Sequence, residues 1–168
     1  MPISMYQASV PRLVHNLENL AAILDKAQAH IDAHRIDVAA LMEARLALDM
    51  YPFAQQVRIA CDKARSVVAR LADVEVPRFE DNERTLAELR QRIARTVAFI
   101  RSVPPGQIDG TEDKEIVLPV TGRETRYTGL QLLFGHSIPN VYFHTMAAYS
   151  ILRHHGVAIG KRDFLGEV

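Results

Sequence analysis

The stretch VPRLVHNLENLAAILDKAQAHI, Val10 to Ile31, decides the fold class. Its apolar residues alternate in steps of three and four, which is the spacing of one buried stripe on a long amphipathic α-helix. Charged and amide side chains fill the positions between them and suit a solvated face. The pattern predicts a first helix over residues 4–33. The stripe consists of Val10, Leu13, Leu17, Leu20, Leu24, Ala27 and Ile31.

Three further segments carry similar stripes. The first follows Pro52 and runs to Leu71, and a short helix capped by Asp37 and reaching Leu46 precedes it. The other two are predicted from their capping residues, because Ser, Asp and Asn are preferred at helix N-termini and Gly is preferred after C-termini. One begins at Asp81 or Asn82 and runs to about Ile100, and the last runs from Ser137 to Gly156.

Four amphipathic helices with this spacing predict an all-α, four-helix bundle in one domain over residues 1–168. Short connections favour antiparallel neighbours, so we expect up-down-up-down topology. The long connection before the last helix contains a predicted β-hairpin within residues 114–129, turning at Thr121-Gly122. The apolar segment GLQLLFG, residues 129–135, is predicted as a loop that packs over one end of the bundle or against a second subunit.

Composition excludes several classes of protein. Lys plus Arg and Asp plus Glu balance at 20 each, which argues against nucleic acid and against anionic membranes as partners. Low net charge permits a homodimer. The single cysteine, Cys61, rules out a disulfide framework within the chain. No signal peptide and no apolar run of roughly 18 residues is found, so a cytoplasmic protein is expected.

Polar residues on the last predicted helix mark the candidate site. Asn140 and His144 lie one turn apart and share a face with small and apolar residues, so the face is expected to point inward. A buried imidazole needs hydrogen-bond partners. Across the bundle the candidates are Asp49, Gln56 and Gln55, which would meet the last helix if the two helices run parallel. The alternative is that His144 is simply a satisfied core residue.

Three segments together resemble an uncharacterised bacterial family of the DinB/YfiT-like superfamily. They are ALDMYPFAQQVRIACDKA at 47–64, ARLADVEVPRFED at 69–81 and YFHTMAAYSILRHHGV at 142–157. The resemblance covers nearly the whole chain and implies a four-helix bundle that is often dimeric. In the wider superfamily the best-known members hold a divalent metal with three histidines, one from the second helix and an H-x-x-x-H pair from the fourth.

The resemblance places His144 at the second histidine of that pair and Asn140 at the first. The second helix offers Asp49 or Gln56 instead of a histidine. The expected function is therefore an uncharacterised DinB-like protein with a degenerate metal-site pocket at Asp49, Gln56, Asn140 and His144 that binds a small molecule. One alternative is a metal-dependent enzyme, thiol-transferase-like or hydrolase-like, with zinc or nickel held weakly by His144 and Asp49. Another is a dimeric interaction protein.

Overall fold

The structure is a computed structural model that describes residues 3–120 and 122–167. The fold is mostly helical with one two-stranded antiparallel hairpin. None of the described helices is both long enough and apolar enough to cross a membrane. In chain order the elements are α1 Met5–His34, α2 Val38–Met42, α3 Phe53–Ala72, α4 Leu86–Ser102, a 3₁₀ turn Pro105–Gln107, β1 Ile116–Val120, β2 Arg123–Tyr127, a π-helical turn Gln131–Ser137, α5 Ile138–His154 and α6 Lys161–Leu165.

Helix α1 matches the predicted first helix to within one residue. Ser4 caps it, because the Ser4 hydroxyl accepts from the Gln7 N–H while the Gln7 side chain accepts from the Ser4 N–H. Every residue of the 3-4 stripe is buried. Buried residues of the four long helices and the hairpin form one hydrophobic cluster, so the predicted stripes are indeed core faces.

One helix start and one helix end differ from the prediction. Helix α4 is capped by Thr85 and not by Asp81 or Asn82, because Thr85 and Glu88 form the reciprocal Thr-x-x-Glu capping box. Asp81 instead pairs with Arg92 at 2.9 Å. The short helix α2 is capped by Asp37 as predicted, but it ends at Met42 and not at Leu46.

The last long helix begins earlier than Ser137. Thr128 and Gln131 form a second capping box, in which the Gln131 N–H donates to the Thr128 hydroxyl and the Thr128 N–H donates to the Gln131 amide oxygen. The helix then runs through the π-helical turn directly into α5. The segment 129–135 is therefore helical and not the predicted loop. Gly156, at φ +84°, closes α5 as predicted.

The hairpin lies between α4 and α5 along the chain. Its strands pair antiparallel from Ile116 opposite Tyr127 to Val120 opposite Arg123. Gly122 adopts φ +78° in the turn, a conformation that glycine tolerates best. Thr121, the other predicted turn residue, lies outside the described residues.

The direction of α3 and α5 contradicts the predicted topology. Near the start of α3, Gln56 bonds His144, and further along α3, Lys63 contacts His136 in the earlier π-helical turn. Residue numbers rise on one helix as they fall on the other, so the two helices are antiparallel. An up-down-up-down bundle would make them parallel, and that prediction is wrong.

The contacts of α1 complete the topology. Helix α4 is antiparallel to α1, since Asp25 pairs with Arg90 and Glu18 pairs with Arg101. Helix α5 runs in the same direction as α1. Its start lines one groove with the start of α1, and Thr145 further along donates to Asn16 at 2.8 Å. The directions of α1, α3, α4 and α5 are therefore up, down, down, up.

Parallel α3 and α4 require a connection that returns along the bundle. Residues 73–85 make this connection without a long helix. Arg58, near the start of α3, donates to the Glu83 carboxylate at 2.8 Å, so the chain has come back to the end where α3 began. Arg92 of α4 is almost fully buried and also pairs with Glu83, at 2.8 Å, and with Asp62 of α3, also at 2.8 Å. This charged cluster holds the returning segment against both helices.

Candidate functional site

A buried hydrogen bond joins the two polar residues that the sequence placed at the centre of the site. His144 Nδ1 of α5 lies 2.7 Å from Gln56 Oε1 of α3, and the two side chains are 8% and 1% exposed. The Gln56 amide nitrogen donates to the Tyr51 carbonyl at 2.9 Å. Because a carbonyl oxygen only accepts, this bond fixes which end of the amide faces His144. His144 therefore carries its proton on Nδ1 and leaves Nε2 as the acceptor nitrogen.

The surroundings of His144 favour the neutral imidazole. Burial lowers the pKa of His144 below its ordinary value, and the nearby Lys63 ammonium lowers it further. A neutral ring with a fixed tautomer is suited to accept a hydrogen bond through Nε2. The donor to Nε2 can be a bound ligand or a neighbouring side chain of the core.

The other two predicted residues lie in different settings. Asn140 is half-buried, and its amide nitrogen donates to the His136 carbonyl at 2.6 Å, so it braces the π-helical turn of its own helix. Asp49 is exposed in the turn before α3. Within residues 3–120 and 122–167, no hydrogen bond or ion pair links Asp49 to His144. The structure thus joins Gln56 to His144 and does not join Asp49 to them.

The positions that would hold the three-histidine metal site implied by the family resemblance are engaged in other contacts. The amide oxygen of Gln56 already accepts from His144, and Asn140 turns towards its own backbone. In the described part of the chain, no three His, Cys, Asp or Glu side chains are grouped to hold a metal ion. A structural or catalytic zinc ion needs at least three protein ligands. The residues present do not fit the metal of the wider superfamily.

A cavity of about 350 Å³ lies further along α3 than the Gln56–His144 pair, and neither residue of the pair lines it. The side chain that connects the two is Lys63, which contacts His136 Nε2 at 3.5 Å and also acts electrostatically on His144. Three parts of the fold form its walls, namely α3, the hairpin and the π-helical turn. The lining residues are Lys63, Ser66, Val67, Arg70, Leu118, Pro119, Leu132, His136 and Ser137.

These cavity residues were not among the predicted site residues. A signal for part of the set was present, because Lys63, Ser66 and Arg70 follow one another at steps of three and four and so share one face of α3. His136 and Ser137 had no such signal, because the predicted loop 129–135 ended before them and Ser137 was predicted only as the cap of the last helix.

A separate apolar groove lies where the start of α1 meets α5. Large side chains are exposed along it, including Phe134 at 51% and Tyr142 at 38%, with Ile3 and Leu130 beside them. Phe134 and Leu130 belong to the 129–135 segment for which a subunit contact was one of the expectations. A surface of this kind is typical of protein–protein contacts.

Comparisons with known proteins agree with the resemblance noted in the sequence. A family model described as a domain of unknown function, DUF1993, matches residues 5–165. The chain is also similar to a solved structure, a DinB family member protein from Shewanella denitrificans. The two are 40% identical with a TM-score of 0.90, over 97% of this chain and 92% of that chain. Among curated proteins none matches. The chain therefore belongs to the DUF1993 family, an uncharacterised family with a DinB-like fold.

Proposed function

We propose that this protein binds a small molecule in the cavity between α3, the hairpin and the π-helical turn, and that it does so without a resident metal. The observation that carries the proposal is the cavity itself, about 350 Å³ in volume and lined by both polar and apolar side chains. Sites for small molecules are concave, with a few convergent polar groups on largely apolar walls.

The structure around the cavity supports a preformed binding site. The wall contributed by residues 131–137 is a π-helical turn, an irregularity that is often found at functional sites. Asn140 braces this turn through the His136 carbonyl, and His136 lines the cavity. The buried Gln56–His144 pair locks α5 against α3 close by. In this proposal Gln56, Asn140 and His144 do not line the cavity but hold its surrounding elements in place, and they need not ligate a metal.

The test is ligand-observed NMR of the purified protein against a library of small metabolites. The variant Ser66→Phe places a large side chain in the cavity, and Ser102→Phe makes the same change at an exposed position at the end of α4. We expect hits that bind the wild type and Ser102→Phe and that are lost in Ser66→Phe. Hits that bind all three proteins equally, or no hits at all, would reject the proposed site.

A metal-dependent enzyme is the second candidate, and one observation favours it. With Nδ1–H held by Gln56, His144 presents Nε2, which is how histidine ligands of metals are commonly oriented. Asp49 would have to move from its exposed turn to supply a second ligand. Such a two-ligand site would hold zinc or nickel weakly.

The oligomeric state and the cellular location are also proposed. We infer a homodimer from the exposed apolar groove of α1 and α5, which sedimentation or light scattering would test. We also infer a cytoplasmic location, because the only cysteine, Cys61, is a buried free thiol.

A further inference from the structure

We propose that the ligand of this cavity carries a phosphoryl group, bound by Lys63, Arg70 and His136, with a short apolar body. The inference rests on the proposed small-molecule function and names the chemical class of the ligand. It stands on the charges, hydroxyl groups and shape of the cavity wall.

The polar groups of the cavity are two cations, one imidazole and hydroxyls. Lys63 and Arg70 come from α3 and His136 from the π-helical turn, and the hydroxyls of Ser66 and Ser137 lie among them. None of the lining residues is acidic. Ammonium, guanidinium, imidazole and hydroxyl groups are the usual donors to phosphoryl oxygens in proteins.

These cations lack the carboxylate partners that most buried cations of this chain have. Arg92, Arg58 and Arg65 each form an ion pair with a carboxylate. No ion pair involves Lys63 or Arg70 in the part of the chain that the structure describes. Partly buried like charges without counter-charges raise the free energy of the folded protein, and an anion in the cavity removes that cost.

Arg70 keeps donors that can bind a ligand. Arg70 uses its Nε–H on the Ser66 hydroxyl at 3.0 Å, which orients the guanidinium and leaves its terminal N–H groups. Burial lowers the pKa of Arg70. Burial, followed by the charge of Lys63, lowers the pKa of His136. Both directions follow first from the burial of these groups in the cavity wall.

The shape of the cavity favours a small organic ligand over a polyanion such as a nucleic acid. The charges line a recess, and the chain has no net charge at neutral pH, whereas nucleic-acid-binding proteins carry basic stripes on their surface. The apolar side chains of Val67, Leu118 and Leu132 complete the walls. A cavity of about 350 Å³ has room for a phosphoryl group together with a short carbon body.

The test is isothermal titration calorimetry with phenyl phosphate, inorganic phosphate, benzoate and phenol at constant ionic strength. Arg70→Gln and Lys63→Gln each remove one cation from the cavity. Arg101→Gln is the control, because it removes a cation from an exposed ion pair between α4 and α1, away from the cavity. Circular dichroism establishes that the half-exposed cavity positions tolerate the changes.

We expect phenyl phosphate to bind the wild type and Arg101→Gln equally, and to bind each cavity variant at least tenfold more weakly. Inorganic phosphate is expected to compete with it, and phenol is expected to bind weakly. Equal binding of phenol, or tighter binding of benzoate, would overturn the phosphoryl assignment while leaving a small-molecule site. If neither phenyl phosphate nor inorganic phosphate binds, the phosphoryl assignment is also overturned. In that case, library hits that are lost in Ser66→Phe would still support the small-molecule site.

Discussion

Replacing Gln56 with leucine leaves the Nδ1–H group of His144 buried without an acceptor. The two side chains are 1% and 8% exposed, so water is poorly placed to take over the lost bond. Replacing His144 with leucine has the converse effect and leaves the Gln56 amide oxygen without a donor. Leaving one buried polar group unpaired costs about 2 kcal/mol. In a chain of this length each change is expected to lower the melting temperature by ~4–8 °C.

The double variant Gln56→Leu/His144→Leu behaves differently, because it removes both polar groups and replaces them with apolar ones. We expect its unfolding free energy to lie within about 1 kcal/mol of the wild type. The two single effects would sum to about 4 kcal/mol, so the coupling between the residues is about 3 kcal/mol. The carbonyl of Tyr51, which loses its bond from Gln56, belongs to an exposed residue and is free to bond water.

Urea unfolding followed by circular dichroism at pH 7.5 measures all four proteins of this cycle. At this pH His144 is neutral in the folded state, since burial lowers its pKa. Equal m-values would show that the variants change stability and not the extent of unfolding. The reasoning is refuted if the two effects add, so that the double variant is less stable than either single variant.

Three further predictions test the surrounding structure. The pKa of His144 is lower in the folded than in the unfolded chain, so the unfolded chain binds more protons at pH values between the two. The unfolding free energy, measured by urea titration at each pH, should therefore fall as the pH drops from about 7 to 5. His144→Gln should flatten this dependence on pH. Arg92→Met should cost about 3 kcal/mol, because it removes a buried cation that pairs with the buried Glu83 carboxylate and leaves Glu83 with Arg58 alone. Arg101→Met, at an exposed ion pair, should cost under about 1 kcal/mol in the same assay. Gln56→His/Asn140→His should create a three-histidine site with His144 and raise the melting temperature when zinc is added, while an unchanged melting temperature would show that these positions do not converge.

Local sequence patterns predicted the helices but not all of their ends. The 3-4 stripe of α1 is a direct consequence of helical periodicity, and the whole stripe is buried. The starts of α4 and of the last long helix were placed wrongly, although both carry a readable capping box, Thr85 to Glu88 and Thr128 to Gln131. Asp81 and Ser137 are chemically suitable caps, so residue type alone did not distinguish them from the true ones.

Helix direction depended on long-range pairing that no local pattern contains. The connection 73–85 returns along the bundle because Glu83 meets Arg58 and Arg92, residues that lie before and after it in the chain. The cavity was missed for the same reason, since its polar side chains come from α3 and from a turn more than sixty residues later. The Gln56–His144 contact was among the expected ones, although the helices that carry it run antiparallel.

In this account Gln56 and His144 bond each other and do not hold a metal, and any ligand binds in the cavity further along α3. Elemental analysis of untagged protein tests this most directly, after dialysis against zinc, nickel and manganese in turn, with His144→Ala measured beside the wild type. We expect no stoichiometric metal in either protein, and lower stability in His144→Ala. Near-stoichiometric metal in the wild type that is lost in His144→Ala would contradict the claim and favour the metal-dependent enzyme.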